Sequence, residues 1–197
     1  MHSKDFNNFT EFLDTIIAQQ TEYRNEFTYF SPNTPDGMIL EFGVASGTTI
    51  RMIADAFPDR QVDGFDSWEG LPEDWRPGHP AGSFKCDIPV VPQNVTLHKG
   101  LFSETLPGFL ENNPGAIAFI HLDADLYSST AYVLEQVEDR LQDGTILVFD
   151  ELHYSADNDN YKEHEYKAFA EFIERTGFKC VFLQRLHYES YCFKLVR

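Results

Sequence analysis

Asp123 closes the apolar run 116–122, and Asp150 and Glu151 close the apolar run 145–149. Carboxylates that converge at the ends of neighbouring strands repel one another and take up protons unless a cation neutralises them. Hard oxygen donors of this kind suit magnesium, with calcium or manganese as alternatives. A cation held by Asp123, Asp150 and Glu151 would bind a hydroxyl, lower its pKa and fix its approach to an electrophile. Such a reaction needs a proton acceptor. Asp123 is one candidate. His79, in the Trp75–Gly82 loop, is the other, because an imidazole titrates near neutral pH. His153 and His164, with Glu163 and Glu165, lack the HExxH spacing, which argues against a histidine-built zinc site.

A second constellation lies upstream, in Glu41-Phe42-Gly43-Val44-Ala45-Ser46-Gly47-Thr48-Thr49. Two glycines four apart let a strand end turn tightly beneath a ligand and open a helix. The dinucleotide fingerprint GxGxxG is absent, since Glu41 stands two before Gly43. A carboxylate there suits a cationic amino-acid ligand better than a pyrophosphate. Asp66 lies about 20 residues beyond the turn, where a carboxylate accepts the hydroxyls of a ribose. Candidate ligand-binding residues are therefore Glu41, Gly43, Ala45, Ser46, Gly47, Thr48, Asp66, Ser67, Trp68 and Asp123.

These residues need strand ends to hold them. Short apolar runs at 38–43, 61–65, 95–98, 116–122 and 145–149 read as strands, the fifth covered on both faces. Helical spacing is present in 5–23 (Phe6, Phe9, Leu13, Ile16, Ile17) and from Ile50 to Phe57. It recurs in Val133, Leu134, Val137 and Leu141, with Asp143-Gly144 as the expected helix end, and in 161–176, closed by Gly177. The last two runs, 180–183 and 191–196, lack a helix between them and read as an antiparallel hairpin. Together these elements predict an α/β domain spanning 1–197, a doubly wound Rossmann-like sheet with helices on both faces. Residues 1–36 form an N-terminal helical extension. Residues 72–92 hold five prolines and read as a functional loop over the site. The aromatics Trp68, Trp75, Phe84, Tyr154, Tyr161 and Tyr188 are candidates for an acceptor pocket.

The segments Glu41-x-Gly43-x-x-x-Gly47, Asp66-Ser67-Trp68-Glu69-Gly70-Leu71-Pro72, Gly100–Pro107, His121–Thr130, Leu141–Thr145 and Asp150-Glu151 resemble class I S-adenosylmethionine-dependent methyltransferases. More closely, they resemble the macrocin O-methyltransferase family, which modifies antibiotic sugars. The resemblance implies that Gly43 and its neighbours face the methionine part of S-adenosylmethionine and Asp66 its ribose. It also implies a metal on an Asp from the fourth strand and an acidic pair after the fifth. Two positions depart from relatives. Glu151 stands where many carry Asp, and Leu126 stands where catechol O-methyltransferases carry a lysine base.

The expected reaction is methyl transfer to a hydroxyl of a small molecule, a natural-product sugar by resemblance. A nucleotide-dependent oxidoreductase of similar fold and a non-catalytic cofactor-binding scaffold are the alternatives. The missing fingerprint and the converging acids count against the first, and the intact acid triplet and glycine turn count against the second. A net charge of −17, from 15 basic and 32 acidic side chains, disfavours nucleic acid and anionic membranes as partners. No apolar run reaches the ~20 residues of a membrane span, and the polar N-terminus does not read as a signal peptide. Three cysteines without CxxC spacing fit a reduced, cytoplasmic setting. A homodimer is implied by the resemblance alone.

Overall fold

The structure is a computed structural model that describes residues 1–19, 21, 22, 24, 26–154 and 160–197. Seven strands, β1 (Met38–Phe42), β2 (Val62–Asp66), β3 (Val95–Lys99), β4 (Ile117–Leu122), β5 (Leu141–Phe149), β6 (Lys179–Arg185) and β7 (Tyr191–Val196), form one sheet in the order β3-β2-β1-β4-β5-β7-β6. The first five run parallel, while β7 is antiparallel to both β5 and β6. The helices are α1 (Phe9–Ala18), α2 (Thr48–Ala56), α3 (Phe102–Asn112), α4 (Tyr127–Val137) and α5 (Glu165–Thr176).

Alternate residues of the central strands feed two cores, as the two-residue period of a strand requires. Leu40, Phe42, Ile120, Leu122, Leu147 and Phe149 pack with Phe12, Leu106, Leu134 and Phe169 from α1, α3, α4 and α5. Ile39, Phe119, Ile146 and Val148 pack on the opposite face with Ile50 and Ile53 of α2 and with Phe27 and Phe30. The result is a three-layer Rossmann-like sheet closed by an antiparallel pair.

Several boundaries differ from the sequence expectation. The helix expected across 5–23 is a 3-10 turn at Ser3–Asp5 and then α1; Gln20 and Tyr23 lie outside the described residues. Asn8 sets the start of α1 at Phe9, later than expected, by accepting the Glu11 N–H on its side-chain oxygen at 2.8 Å. α3 was not anticipated, because Leu106-Pro107-Gly108 puts two helix breakers in its middle. Leu101 N–H nevertheless donates to Glu104 Oε2 at 3.1 Å, and Leu106, Phe109 and Leu110 are buried. α4 ends at Val137 rather than near Leu141, which begins β5 opposite Ile117. Asp143-Gly144 is therefore no helix end. Gly144, at φ +91°, sits inside β5 at its register shift.

Candidate active site

A cavity of about 640 Å³ opens at the carboxyl ends of the parallel strands, the place where open α/β sheets bind ligands. Its floor is the turn after β1. Gly43 has φ +90°, and a Cβ there would stand 1.7 Å from the Asp123 carbonyl oxygen, so only glycine lets the two strand ends approach. Gly43 N–H donates to Phe65 O and Asp123 N–H to Phe42 O, extending the sheet ladder to the cavity. Asp66 braces the turn. One carboxylate oxygen accepts from Val44 N–H (2.9 Å) and Ala45 N–H (2.8 Å), and the other accepts from Trp68 N–H at 2.7 Å. The Trp68 indole N–H then donates to Ala45 O at 3.0 Å.

Of the expected ligand-binding residues, Gly43, Ala45, Asp66, Ser67 and Asp123 line the cavity. Glu41, Ser46, Gly47, Thr48 and Trp68 do not. Trp68 is buried in the α2-side core. Gly47, at φ +80°, caps the N-terminus of α2, and Ser46 and Thr48 flank it facing each other at 3.2 Å. Glu41 is fully buried, paired across β1 and β4 with His121, whose Nδ1 lies 3.1 Å from its carboxylate. A strand residue two before the turning glycine points to one face of the sheet rather than over its end, which takes Glu41 out of the cavity.

At the ends of β4 and β5, one carboxylate oxygen from each of Asp123, Asp125 and Glu151 lies within 4.8 Å of the others. Asp150 lines the same cavity, but one of its oxygens is engaged by His187 at 2.9 Å and His121 at 3.3 Å. Among the described residues, the set of three gathered here thus has Asp125 where the sequence expectation had Asp150. Asp125 was not anticipated. The signal available was its position two after Asp123, which keeps both side chains at one strand end. Its φ of +58° turns it into the cluster. Ala45, Phe84 and Asp125, three of the four non-glycine residues with positive φ among those described, line this cavity, as strained backbone tends to at functional sites.

The electrostatics follow from this crowding. Burial, then the Asp150 charge, push Asp123 well above the usual carboxylate range, and burial and Asp123 do the same to Glu151. Burial lifts Asp125 to about 7, although the Arg76 charge opposes it. Asp150 goes the other way. Burial would raise it, but the contacts from His121 and His187 outweigh that and hold it below the usual range.

Beneath the cluster, the buried Glu165 accepts the Glu151 N–H at 3.1 Å and fixes the backbone after β5. Leu126 is buried at the start of α4 and places no amine at the cavity.

The 72–92 segment contributes Pro72, Trp75, Arg76, His79 and Phe84 to the wall. It contains no helix or strand and is held by its own turns, including Leu71 N–H to Ser83 O and Trp75 N–H to His79 O. The His79 ring stacks on Phe84 (centroids 5.3 Å apart), and its Nδ1 is buried without a hydrogen-bond partner. Of the aromatics expected in a pocket, Trp75 and Phe84 line it. Tyr154 packs behind Trp75, Tyr161 is buried behind Tyr154, and Tyr188 is exposed away from it. Phe102 and Tyr132, from α3 and α4, complete the wall.

The 3-2-1-4-5-7-6 sheet, the glycine turn and the acids at the ends of β4 and β5 define a methyltransferase domain of Rossmann-like fold. The chain belongs to the family described as "Methyltransferase domain", whose model matches residues 40–152, more than half of its length. It is 30% identical over 156 residues to 8-demethyl-8-(2,3-dimethoxy-alpha-L-rhamnosyl)-tetracenomycin-C 4'-O-methyltransferase of Streptomyces olivaceus, a match covering 66% of this chain and 58% of that protein. The chain thus spans under two thirds of that relative's length.

Among solved structures it is similar to CalS11, a calicheamicin methyltransferase, with a TM-score of 0.68 and 25% identity over 91% of this chain and 78% of the other. The O-methyltransferase NovP shares the fold at TM-score 0.64 and 19% identity, over 87% and 78% of the two chains.

Proposed function

We propose that this protein transfers a methyl group from S-adenosylmethionine to a hydroxyl of a small molecule, a natural-product sugar, with a divalent cation at the acid cluster. The observation that carries the reading is the meeting of Asp123, Asp125 and Glu151 beside the Gly43 turn in a methyltransferase-family cavity. The rhamnosyl acceptor named for the Streptomyces olivaceus relative supports a sugar as the acceptor.

The donor set fits a hard cation. Three carboxylate oxygens lie within 4.8 Å of one another, and Glu151 Oε2 is buried without a hydrogen-bond partner. Asp123, Glu151 and Asp125 would hold the ion, with the free oxygen of Asp150 alongside. Bound there, a divalent cation supplies polarisation of a hydroxyl, and magnesium is the best match to an all-oxygen set.

The protein's own groups do the rest. The Gly43–Gly47 turn, held by Asp66, receives the donor, and the acceptor position left on Asp66 Oδ1 serves the ribose. Asp123 sits against the glycine turn and takes the hydroxyl proton as the oxygen–methyl bond forms and the sulfur–methyl bond breaks. His79, with its Nδ1 unpaired on the cavity wall, is the second candidate for this proton.

The test is methyl transfer from labelled S-adenosylmethionine to a panel of rhamnosides and vicinal diols, with magnesium and with chelator. Glu151→Gln should lower activity by about tenfold or more while S-adenosylhomocysteine affinity is kept. Equal rates with and without chelator would remove the metal from the proposal.

A further inference from the structure

Five carboxylates, those of Asp66, Asp123, Asp125, Asp150 and Glu151, line the cavity, together with one permanent cation, Arg76. Arg76 is not spent on neutralising them. Among the described residues, no carboxylate lies within 4.0 Å of its guanidinium and no hydrogen bond satisfies it. The charges of Asp125 and Glu189 feel it only at longer range.

The group is nevertheless held in place. Its carbon lies 3.9 Å from the Trp75 ring centroid and 4.6 Å from that of Tyr154, and both rings are buried. Aromatic contacts of this kind occupy the faces of a guanidinium and leave its N–H edge free. None of its nitrogens is both buried and unpartnered, so that edge remains accessible. A pre-set fork of five donors, immobilised on the wall of a binding cavity and unpaired, matches the two oxygens of a phosphate or carboxylate.

We propose that Arg76 forks an oxyanionic group of the methyl acceptor, so that the substrate is a sugar bearing a phosphate or a carboxylate. The inference rests on the cavity being the acceptor site. Arg76 is the one arginine or lysine in the cavity lining and stands on the 72–92 wall, apart from the acids proposed to hold the cation, so this residue also sets the direction in which the sugar enters. Two sources share this chemistry, a nucleoside-diphosphate sugar and a sugar acid.

The experiment is calorimetry on the full chain saturated with S-adenosylhomocysteine and magnesium, using thymidine diphosphate-rhamnose, methyl glucuronide and the neutral methyl rhamnoside. One of the two anionic probes should bind at least about tenfold more tightly than the neutral one, and which one does so identifies the source. Arg76→Gln should erase the preference, and Arg76→Lys, which keeps the charge without the fork, should keep part of it. S-adenosylhomocysteine affinity should stay unchanged in both variants, which also shows that they fold.

Equal binding of neutral and anionic probes, no binding of either anion, or a preference that survives Arg76→Gln would overturn the proposal. A tenfold loss of S-adenosylhomocysteine affinity would also overturn it by assigning Arg76 to the donor's carboxylate. Methyl transfer is read separately on the same probes. Binding that follows Arg76 without any transfer would count against the proposed reaction and leave the anion site standing.

Discussion

Single side chains here are constrained by contacts that leave no alternative residue. Gly43→Ala would drive a methyl group into the Asp123 carbonyl at a backbone φ of +90°. We expect it to lower stability by roughly 3–5 kcal/mol and to abolish S-adenosylhomocysteine binding, checked by thermal melting and calorimetry. Asp125 makes a prediction about pH. Its native pKa is about 7 against an ordinary 3.8, so between those values the folded chain binds more protons than the unfolded one. That group's contribution to stability therefore falls as pH rises through the window. A cation needs the ionised form, so magnesium should raise the melting temperature more at pH 8 than at pH 6. The opposite order in a melting series would contradict the cluster's role.

Among the secondary-structure elements, α1 carries the clearest consequence. Phe12 is fully buried, with ring centroids 5.4 Å from Phe6, 5.5 Å from Phe9 and 6.2 Å from Phe193 of β7. Phe12→Ala should cost about 3–5 kcal/mol in a denaturant titration while leaving methyl-donor affinity nearly unchanged, because no residue of α1 lines the cavity. A loss under 1 kcal/mol would mean that α1 adds little to the fold.

The central strands were legible because burial on both faces makes each a short apolar run between turn residues. The glycine turn and the acids at 123 and 151 could be placed because strand ends converge in this topology. α3 was hidden by Pro107 and Gly108, whose local cost is offset by the burial of Leu106, Phe109 and Leu110. The end of α4 was hidden because Leu141 is buried whether it ends a helix or starts a strand. Glu41 was misplaced by reading proximity in sequence as proximity to the ligand. The pairing of Asp150 with His187 joins groups 37 residues apart, which no local pattern encodes.

Over the molecule as a whole, charge dominates. A net charge of −17 on 197 residues means that compaction works against self-repulsion. Raising monovalent salt from about 20 to about 200 mM shortens the Debye length to under 10 Å and should raise the melting temperature. A decrease would indicate that attractive pairs, such as Arg175–Glu138 at 2.7 Å, outweigh the repulsion.

The strand order also dictates when the site comes into being. β1 and β4 pair Ile39 with Phe119, the longest sequence separation among the parallel pairings. Contacts of such separation close slowly, because a long loop must lose its freedom first. A folding chain that has built β1-β2-β3 as one unit and β4-β5 as another holds the glycine turn in the first and the acids in the second. Neither half has a cavity. Recovery of ligand binding on refolding therefore tracks the closure of this single seam, whatever the speed at which the helices form.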